Sequence, residues 1–419
     1  MLMRYADLQA SLSGFDLTEM DVSTPVLILG GKENALSLVR RFGAAGIATR
    51  VSGPADCWGM HSHYCREKFP VPRGISSAQY WHDLLLSGKD AGLHAGLHAE
   101  LHGSLLIACS DEAIDFLARN RTELESLYQF DHGDPDMQLS LLDKRDTLKL
   151  AQSAGVATPQ YWTVNNEEDL AALRQSVEFP VMVKPIISHE FISIFGLKLF
   201  IIDSEFDELA EKVRLAWANN VEVMVIEMIP GPDSQLSSYY TYIGADHQPS
   251  FDYTKSVIRR FPVNRGLGCY HKSEWLPETA EAGSKFFQGI GFTGFGNIEF
   301  KRDPRDQILK VIESNARFTS AQELIIRAGA PIDFIYYCKA TGQKAPGFET
   351  YDQDLTLWYG LRDFLAFVEM RRAGSISTGQ WLRSLFPFKH VSPLHNMSDP
   401  FPSLAALTTR IEKTVTGLL

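Results

Sequence analysis

Hydrophobic and polar positions change period along this chain, and the changes mark out its elements. Val26 to Leu29 is a short apolar run that leads into a Gly-Gly turn. Leu36, Val39 and Phe42 then recur at helical spacing, Gly46 stops the helix, and Ala48 to Val51 begins a second apolar run. Strand, turn, helix and strand in that order predict a βαβ unit and a parallel sheet. SLLIACSDEAIDFLARN, residues 104–120, repeats the strand-turn-helix pattern. Residues 24–138 are therefore expected to form one small α/β domain behind an irregular leader, 1–23.

LSLLDKRDTLKLAQSAGVATPQYWTV predicts a helix that stops at Gly155 and a strand after Pro159. FPVMVKPI and EVMVIEMIPG read as strands flanking the amphipathic helix SEFDELAEKVRLAWAN. From 236 the period falls to two. LSSYYTYIGADHQPSFDYTKSVIRRFP predicts two antiparallel strands around a polar turn at 245–248. TAEAGSKFFQGIG is a helix, and GFGNIEFKRDPRDQILKVIESNARF is a hairpin turning at RDPRDQ. Beyond 336, Leu357, Leu361, Phe364, Leu365 and Val368 recur at three and four residues, which predicts a mostly helical tail. Its aromatic stripe, with Trp358, Phe367, Trp381, Leu385 and Phe386, is expected to cover the protein's own core; homodimer packing and a membrane surface are the alternatives.

Composition narrows the class. At 419 residues the chain has room for two or three domains. Its formal net charge of -11 gives no basic footprint for nucleic acid. The five cysteines are odd in number and form no CxxC, which fits a reducing compartment. No run approaches the ~20 apolar residues of a membrane span, and the first residues lack the apolar run of a signal peptide. A soluble, cytoplasmic protein with no integral membrane segment is expected.

The hairpin carries the sharpest candidate chemistry. Glu313, Asn315 and Arg317 stand at every second position of its second arm, and Asn297, Glu299 and Lys301 at every second position of its first. Alternate residues of a strand share a face. If the polar faces coincide, Glu299 and Glu313 become neighbours, and two carboxylates repel unless a positive charge lies between them. Mg²⁺ takes one or two protein carboxylates and fills its remaining positions with phosphate oxygens and water. Asn315 adds a neutral oxygen, and Arg317 suits a phosphate or carboxylate. The hairpin reads as a magnesium–nucleotide platform; the alternative is a solvated hairpin with cross-strand charge pairs.

With these pieces in this order, residues 24 to about 330 resemble the ATP-grasp superfamily, of the carboxylate–amine ligase type. The resemblance implies an α/β and α+β architecture: the Rossmann-like domain 24–138, a first ATP-binding lobe 139–228, a second lobe with the metal hairpin 229–335, and a helical extension 336–419. It places Lys144 in LLDKRDTL and Lys184 in PVMVKP against nucleotide phosphates. VIEMIPGPD becomes the adenine hinge, with Glu227 and Ile229 at the hinge and Asp233 as a later nucleotide contact. Glu299, Glu313 and Asn315 become the metal ligands, for Mg²⁺ or alternatively Mn²⁺. One motif departs from the family. The glycine-rich loop over the phosphates is here IISHEFISIFGLK, with Gly196 alone; Ser188, His189 and Ser193 are expected to donate hydrogen bonds in its place.

The basic segment YTKSVIRRFPVNRGLGC is similar to one that lies beside the carboxylate substrate in related ligases. Lys255, Arg260 and Arg317 are the expected catalytic residues, although Arg259 and Arg260 cannot be separated by position alone. The implied reaction uses ATP to convert a carboxylate into an acyl phosphate, which an amine then attacks. The tail, with its LRDF and SDPFP, looks most like ligases of bacterial cell-wall and surface-polysaccharide pathways, including the D-aspartate ligase type. That implies small-molecule substrates, an amino acid joined to an amino sugar, a peptide or another amino acid. An ATP-grasp kinase acting on a hydroxyl and an inactive nucleotide-binding scaffold are the alternatives.

Three other motifs point elsewhere and are read as structural. CWGMHSHYC is too compressed for the common structural-zinc spacings and is expected to pack. GLHAGLHAELHG spaces His94, His98 and His102 by four, but Gly92 and Gly96 weaken a helix by about 1 kcal/mol each, so a surface connection is expected. Gly30–Lys32 lacks the spacing of a phosphate-binding loop.

Overall fold

The structure is a computed structural model. It describes residues 15–87, 97–386 and 389–415, without the side chains at 97–98, 188–190, 193 and 410–415. His94 lies outside the described residues, as does the side chain of His98.

Among the described residues the strands form three sheets. The first contains β1 (Val26–Leu29), β2 (Thr49–Gly53), β3 (Cys65–Pro70) and β4 (Leu105–Ala108), all parallel, in the order β3-β2-β1-β4. Every residue of β1 is buried, because helices cover both faces. Val26 and Ile28 join one core with Leu38, Val39 and Phe42; Leu27 and Leu29 join another with Trp81, Leu84 and Phe116. The CWGMHSHYC segment packs as expected, with Cys57 buried and its thiol directed at the Gly30 carbonyl.

The second sheet, antiparallel, has β5 (Tyr161–Thr163), β6 (Val181–Pro185), β7 (Phe200–Ile202) and β8 (Val223–Glu227) in the order β5-β8-β6-β7. The single helix expected before it is two, Pro135–Leu142 and Lys144–Ser153. Asp143 divides them: its carboxylate accepts from the backbone N–H groups of Arg145 (2.8 Å) and Asp146 (3.0 Å). This N-cap satisfies donors that the helix itself cannot and puts Lys144 at the first helical position.

The third sheet has β9 (Leu236–Ile243), β10 (Pro249–Phe261), β11 (Leu267–Ser273), β12 (Gly294–Arg302), β13 (Leu309–Asn315), β14 (Thr356–Trp358) and β15 (His390–Val391), in the order β13-β12-β9-β10-β11-β14-β15. All eight residues of β9 are buried. Tyr240 and Tyr242 point into the core shared with the first domain; Tyr239 and Ile243 point into a core that contains Phe286, Phe287 and the second sheet's Met182 and Met224.

Two details add to the expected division of the chain. Among the helices of the tail, β14 and β15 extend the third sheet, with β14 pairing against β11. The expected boundary at 335 falls inside a helix, Ile332–Ala340, which packs in the core of the first domain. No helix among the described residues is long and apolar enough to cross a membrane.

Candidate active site

Register brings the charged residues into one row. Glu313 on β13 pairs with Glu299 on β12, Glu299 with Ser238 on β9, and Ser238 with Lys255 on β10. Directly paired residues share a sheet face, so all four lie on the side of Tyr240 and Tyr242. At one end that face is apolar and packs on the first domain; at the other it carries the charges. The hairpin register is the one its alternation predicts, with a bulge: Glu299 pairs with Glu313 but Phe300 with Val311, which leaves Ile312 as the extra residue.

The row is electrostatically strained and compensated. Burial raises the Glu299 carboxyl above its ordinary range, Lys255 opposes that rise and Glu313 adds to it. Lys255 is almost wholly buried and donates to Ser238 Oγ at 2.9 Å. Asn315 pairs with Asn297 and donates from Nδ2 to its Oδ1 at 3.2 Å; Asn297 donates in turn to the Tyr239 carbonyl at 3.1 Å. Asn315's own amide oxygen remains as the acceptor on that side chain.

Lysines from the other lobe converge on Glu313. Burial brings Lys184, on β6, down to about 8; Glu313 opposes this, while Lys144, Arg260 and Lys198 add to it. Lys144 is also lowered by burial, with Glu313 and Asp111 opposing. Arg317 lies just past the end of β13 and donates to Asp111 at 2.6 Å, which ties the hairpin to the first domain. Burial alone would raise the Asp111 carboxyl; Arg317, with Lys144 and Lys198, outweighs it and holds the carboxyl below its usual range.

The segment expected to form the hinge has its own fastening. Glu227, the last residue of β8, accepts from Arg305 and from the Gln160 backbone N–H at 3.0 Å. Lys301 Nζ donates to the carbonyls of Ile229 (2.9 Å) and Gly231 (2.8 Å). The alternation of the hairpin placed Lys301 beside Glu299 but gave it no role, because its partners lie about seventy residues upstream.

Asp233 anchors Arg260: its two oxygens accept from Arg260 Nε (2.7 Å) and from the Asn264 backbone N–H (3.1 Å). The same contacts separate the two arginines. Arg259 is buried and paired with Asp363 on the opposite side of the strand (2.6 Å), whereas Arg260 lies with Asp233, coupled to Lys184 and Glu299. Neighbours on a strand face opposite sides; the irregular pairing of β10 with β11 on either side of Arg259 is what gives Arg260, and not Arg259, the face of the charged row.

The segment 186–198 differs from expectation. It is not a loop but contains a helix, Ser188–Phe195, closed by Gly196 at a φ of 65°. In a helix of eight residues the N–H groups of the second half are spent within it, so only those of the first turn remain for a ligand. The side chains of Ser188, His189 and Ser193 lie outside the described residues. Lys32 of the Gly-Gly turn pairs with Asp56.

A cleft of about 620 Å³, open to solvent, is lined by Lys144, Ile187, Met224, Ile226, Glu313 and Asn315, among others. Among the described residues no cluster of three or more His, Cys, Asp or Glu side chains is placed to hold a metal. The donor set is two carboxylates and an amide. It fits an ion that takes its remaining ligands from phosphate and water, and the raised Glu299 carboxyl opposite Glu313 is the charge such an ion would neutralise.

Solved structures with this architecture include N5-carboxyaminoimidazole synthetase from Staphylococcus aureus (TM-score 0.55, 16% identity, 79% of this chain and 81% of that one). Another is the biotin carboxylase domain of the Hydrogenobacter thermophilus 2-oxoglutarate carboxylase, in complex with MgADP, ADP and bicarbonate (TM-score 0.59, 16% identity, 79% and 73%). A third is L-amino acid ligase from Bacillus licheniformis (TM-score 0.55, 16% identity, 77% and 75%). The fold is the ATP-grasp fold. In sequence the chain is similar to ligases. It is 28% identical to D-aspartate ligase of Enterococcus faecium over 226 residues, 51% of this chain and 53% of that protein. It is 35% identical to D-alanine–D-alanine ligase of Stutzerimonas stutzeri over 171 residues, 39% and 51%. The chain thus spans about half the length of the curated relatives it matches. No protein-family profile matches it.

Proposed function

We propose that the protein is an ATP-dependent carboxylate–amine ligase whose substrates are amino acids or close relatives of them. The observation that carries this reading is the direct pairing of Glu299 with Glu313, with Lys144, Lys184 and Lys255 all coupled to one or the other. The amino-acid substrates rest on similarity to D-aspartate ligase, D-alanine–D-alanine ligase and L-amino acid ligase.

Lys144 and Lys184 would hold the nucleotide phosphates, and the backbone of the Glu227–Ile229 hinge, fastened by Lys301, would hold the base. Glu299, Glu313 and Asn315 would hold Mg²⁺, which when bound supplies charge neutralisation at the transferring phosphate. Lys255, Arg260 and Arg317 bring fixed positive charge to a place where two anions, the carboxylate and the γ-phosphate, must meet. A carboxylate oxygen attacks the γ-phosphorus, and the bond to the bridging oxygen breaks with its electrons staying on ADP. The amine nitrogen then attacks the acyl carbon, phosphate leaves with the C–O bonding pair, and the nitrogen gives up a proton. The products are an amide, ADP and phosphate.

The test is a screen of amino acids and amino sugars for stimulated ADP release, followed by mass spectrometry. An amide whose formation needs both an acid and an amine is expected. A stable phosphorylated alcohol as the sole product would replace the ligase with a kinase.

A further inference from the structure

The charged row continues past Lys255 to a histidine that none of these roles uses. His271 on β11 pairs with Val257, two residues along β10 from Lys255, and is 5% exposed. Lys255 Nζ lies 3.3 Å from its Nδ1. An ammonium nitrogen has only donors, so Nδ1 must accept and the ring proton must sit on Nε2. That Nε2–H is buried and has no hydrogen-bond partner among the described residues. The ring also contacts the Gly268 backbone, which favours its charged form, although Nε2 does not reach hydrogen-bonding geometry there. A native protein rarely leaves a buried donor unpaired without a functional reason.

The surroundings indicate what the donor is for. Gly268 pairs with Arg260, and a Cβ at Gly268 would collide with the His271 ring. The missing side chain thus makes the space in which the imidazole lies, with Lys255 at one edge and the strand position of Arg260 beyond the other. A neutral donor stands beside the Lys255 ammonium on the face that carries Glu299 and Glu313. Donors arranged this way suit an anion. A neutral hydrogen bond also orients a nucleophilic carboxylate while drawing off less of its charge than another cation would.

We propose that His271 is an anion-binding residue of the active site, its Nε2–H held in place by Lys255 and donating to an oxygen of the reacting carboxylate or of the phosphate it acquires. The proposal rests on the ligase reading and adds a ligand to that site.

Inorganic phosphate, a product of the proposed reaction, is the probe. Calorimetry measures its binding to wild type, His271→Gln and His271→Phe, each saturated with MgADP. Glutamine keeps an acceptor for Lys255 and an N–H donor; phenylalanine keeps neither. His271→Phe is expected to weaken phosphate binding by about tenfold or more, with MgADP affinity unchanged and His271→Gln within about threefold of wild type. Should His271→Phe fail to fold, His271→Asn replaces it, since it retains an acceptor but is too short to deliver the donor. Wild-type phosphate affinity in His271→Phe, equal losses in both variants, parallel loss of MgADP, or no phosphate binding by MgADP-loaded wild type would each overturn the assignment. Failure of wild type to bind MgADP at all would instead sink the ligase reading itself.

Discussion

Replacing Lys184 with methionine is predicted to stabilise the nucleotide-free protein while removing its hold on ATP phosphates. Lys184 is 9% exposed, and burial brings it from the ordinary 10.5 down to about 8. Between about 8 and 10.5 the unfolded chain keeps a proton that the folded protein has shed, so stability rises with pH across that window. Below it the folded state carries the full cost of a buried ammonium. At about 1.36 kcal/mol per pH unit that cost is about 3 kcal/mol. Methionine has a similar length and no charge, so Lys184→Met should gain on the order of 2–3 kcal/mol near neutral pH. The gain should fade as pH rises towards 10.5. Urea unfolding of both proteins without nucleotide, at neutral pH and near pH 10, measures it. MgATP should reverse the order, because only the wild type can use the phosphates as counter-charge. A variant less stable than wild type at neutral pH, or a gain that does not shrink with pH, would refute the reasoning.

The two adjacent arginines should separate cleanly. Arg259→Met strands the fully buried Asp363 carboxylate and should cost about 3 kcal/mol or more in urea unfolding; Arg260→Met leaves Asp233 the Asn264 N–H in a less deeply buried pair, so it should cost less than Arg259→Met while lowering turnover by at least about tenfold. Lys301→Met should weaken ATP and adenosine equally in calorimetry, since it loosens the hinge carbonyls, while Lys184→Met should weaken ATP far more than adenosine. Equal effects of the two lysine variants on both ligands would undo the division of labour between hinge and phosphate clamp.

How far the chain could be read without its structure depended on whether a residue's partner lay nearby. Glu299 and Glu313 could be paired because both arms of the hairpin alternate and their turn is short. The bulge at Ile312 leaves no trace in that alternation, yet it is what keeps Val311 in the core while Glu313 faces Glu299. β14 and β15, three and two residues long, have too few positions to show a period and take their order from β11. The helix at Ser188–Phe195 was hidden by the expectation of a loop, although Phe191 and Phe195 stand four apart and their rings meet at 4.6 Å. Asp233 and Arg260, and Asp111 and Arg317, are pairs across 27 and 206 residues, which composition and spacing do not encode. His271 carried no signal at all, because its meaning depends on Lys255 reaching its Nδ1 from the neighbouring strand and on Gly268 being bare.

The central claim is that a carboxylate becomes an acyl phosphate beside the Glu299–Glu313 pair, and hydroxylamine tests it most directly. An acyl phosphate is electrophilic at carbon and reacts with hydroxylamine to give a hydroxamate; a phosphate ester does not. With MgATP, hydroxylamine and a panel of amino acids that includes D-aspartate and D-alanine, the wild type should form hydroxamate from at least one acid. Glu313→Gln, still folded by circular dichroism, should form none. Hydroxamate formed equally by the variant, or ATP consumed by the wild type with a phosphorylated alcohol and no hydroxamate, would contradict the account.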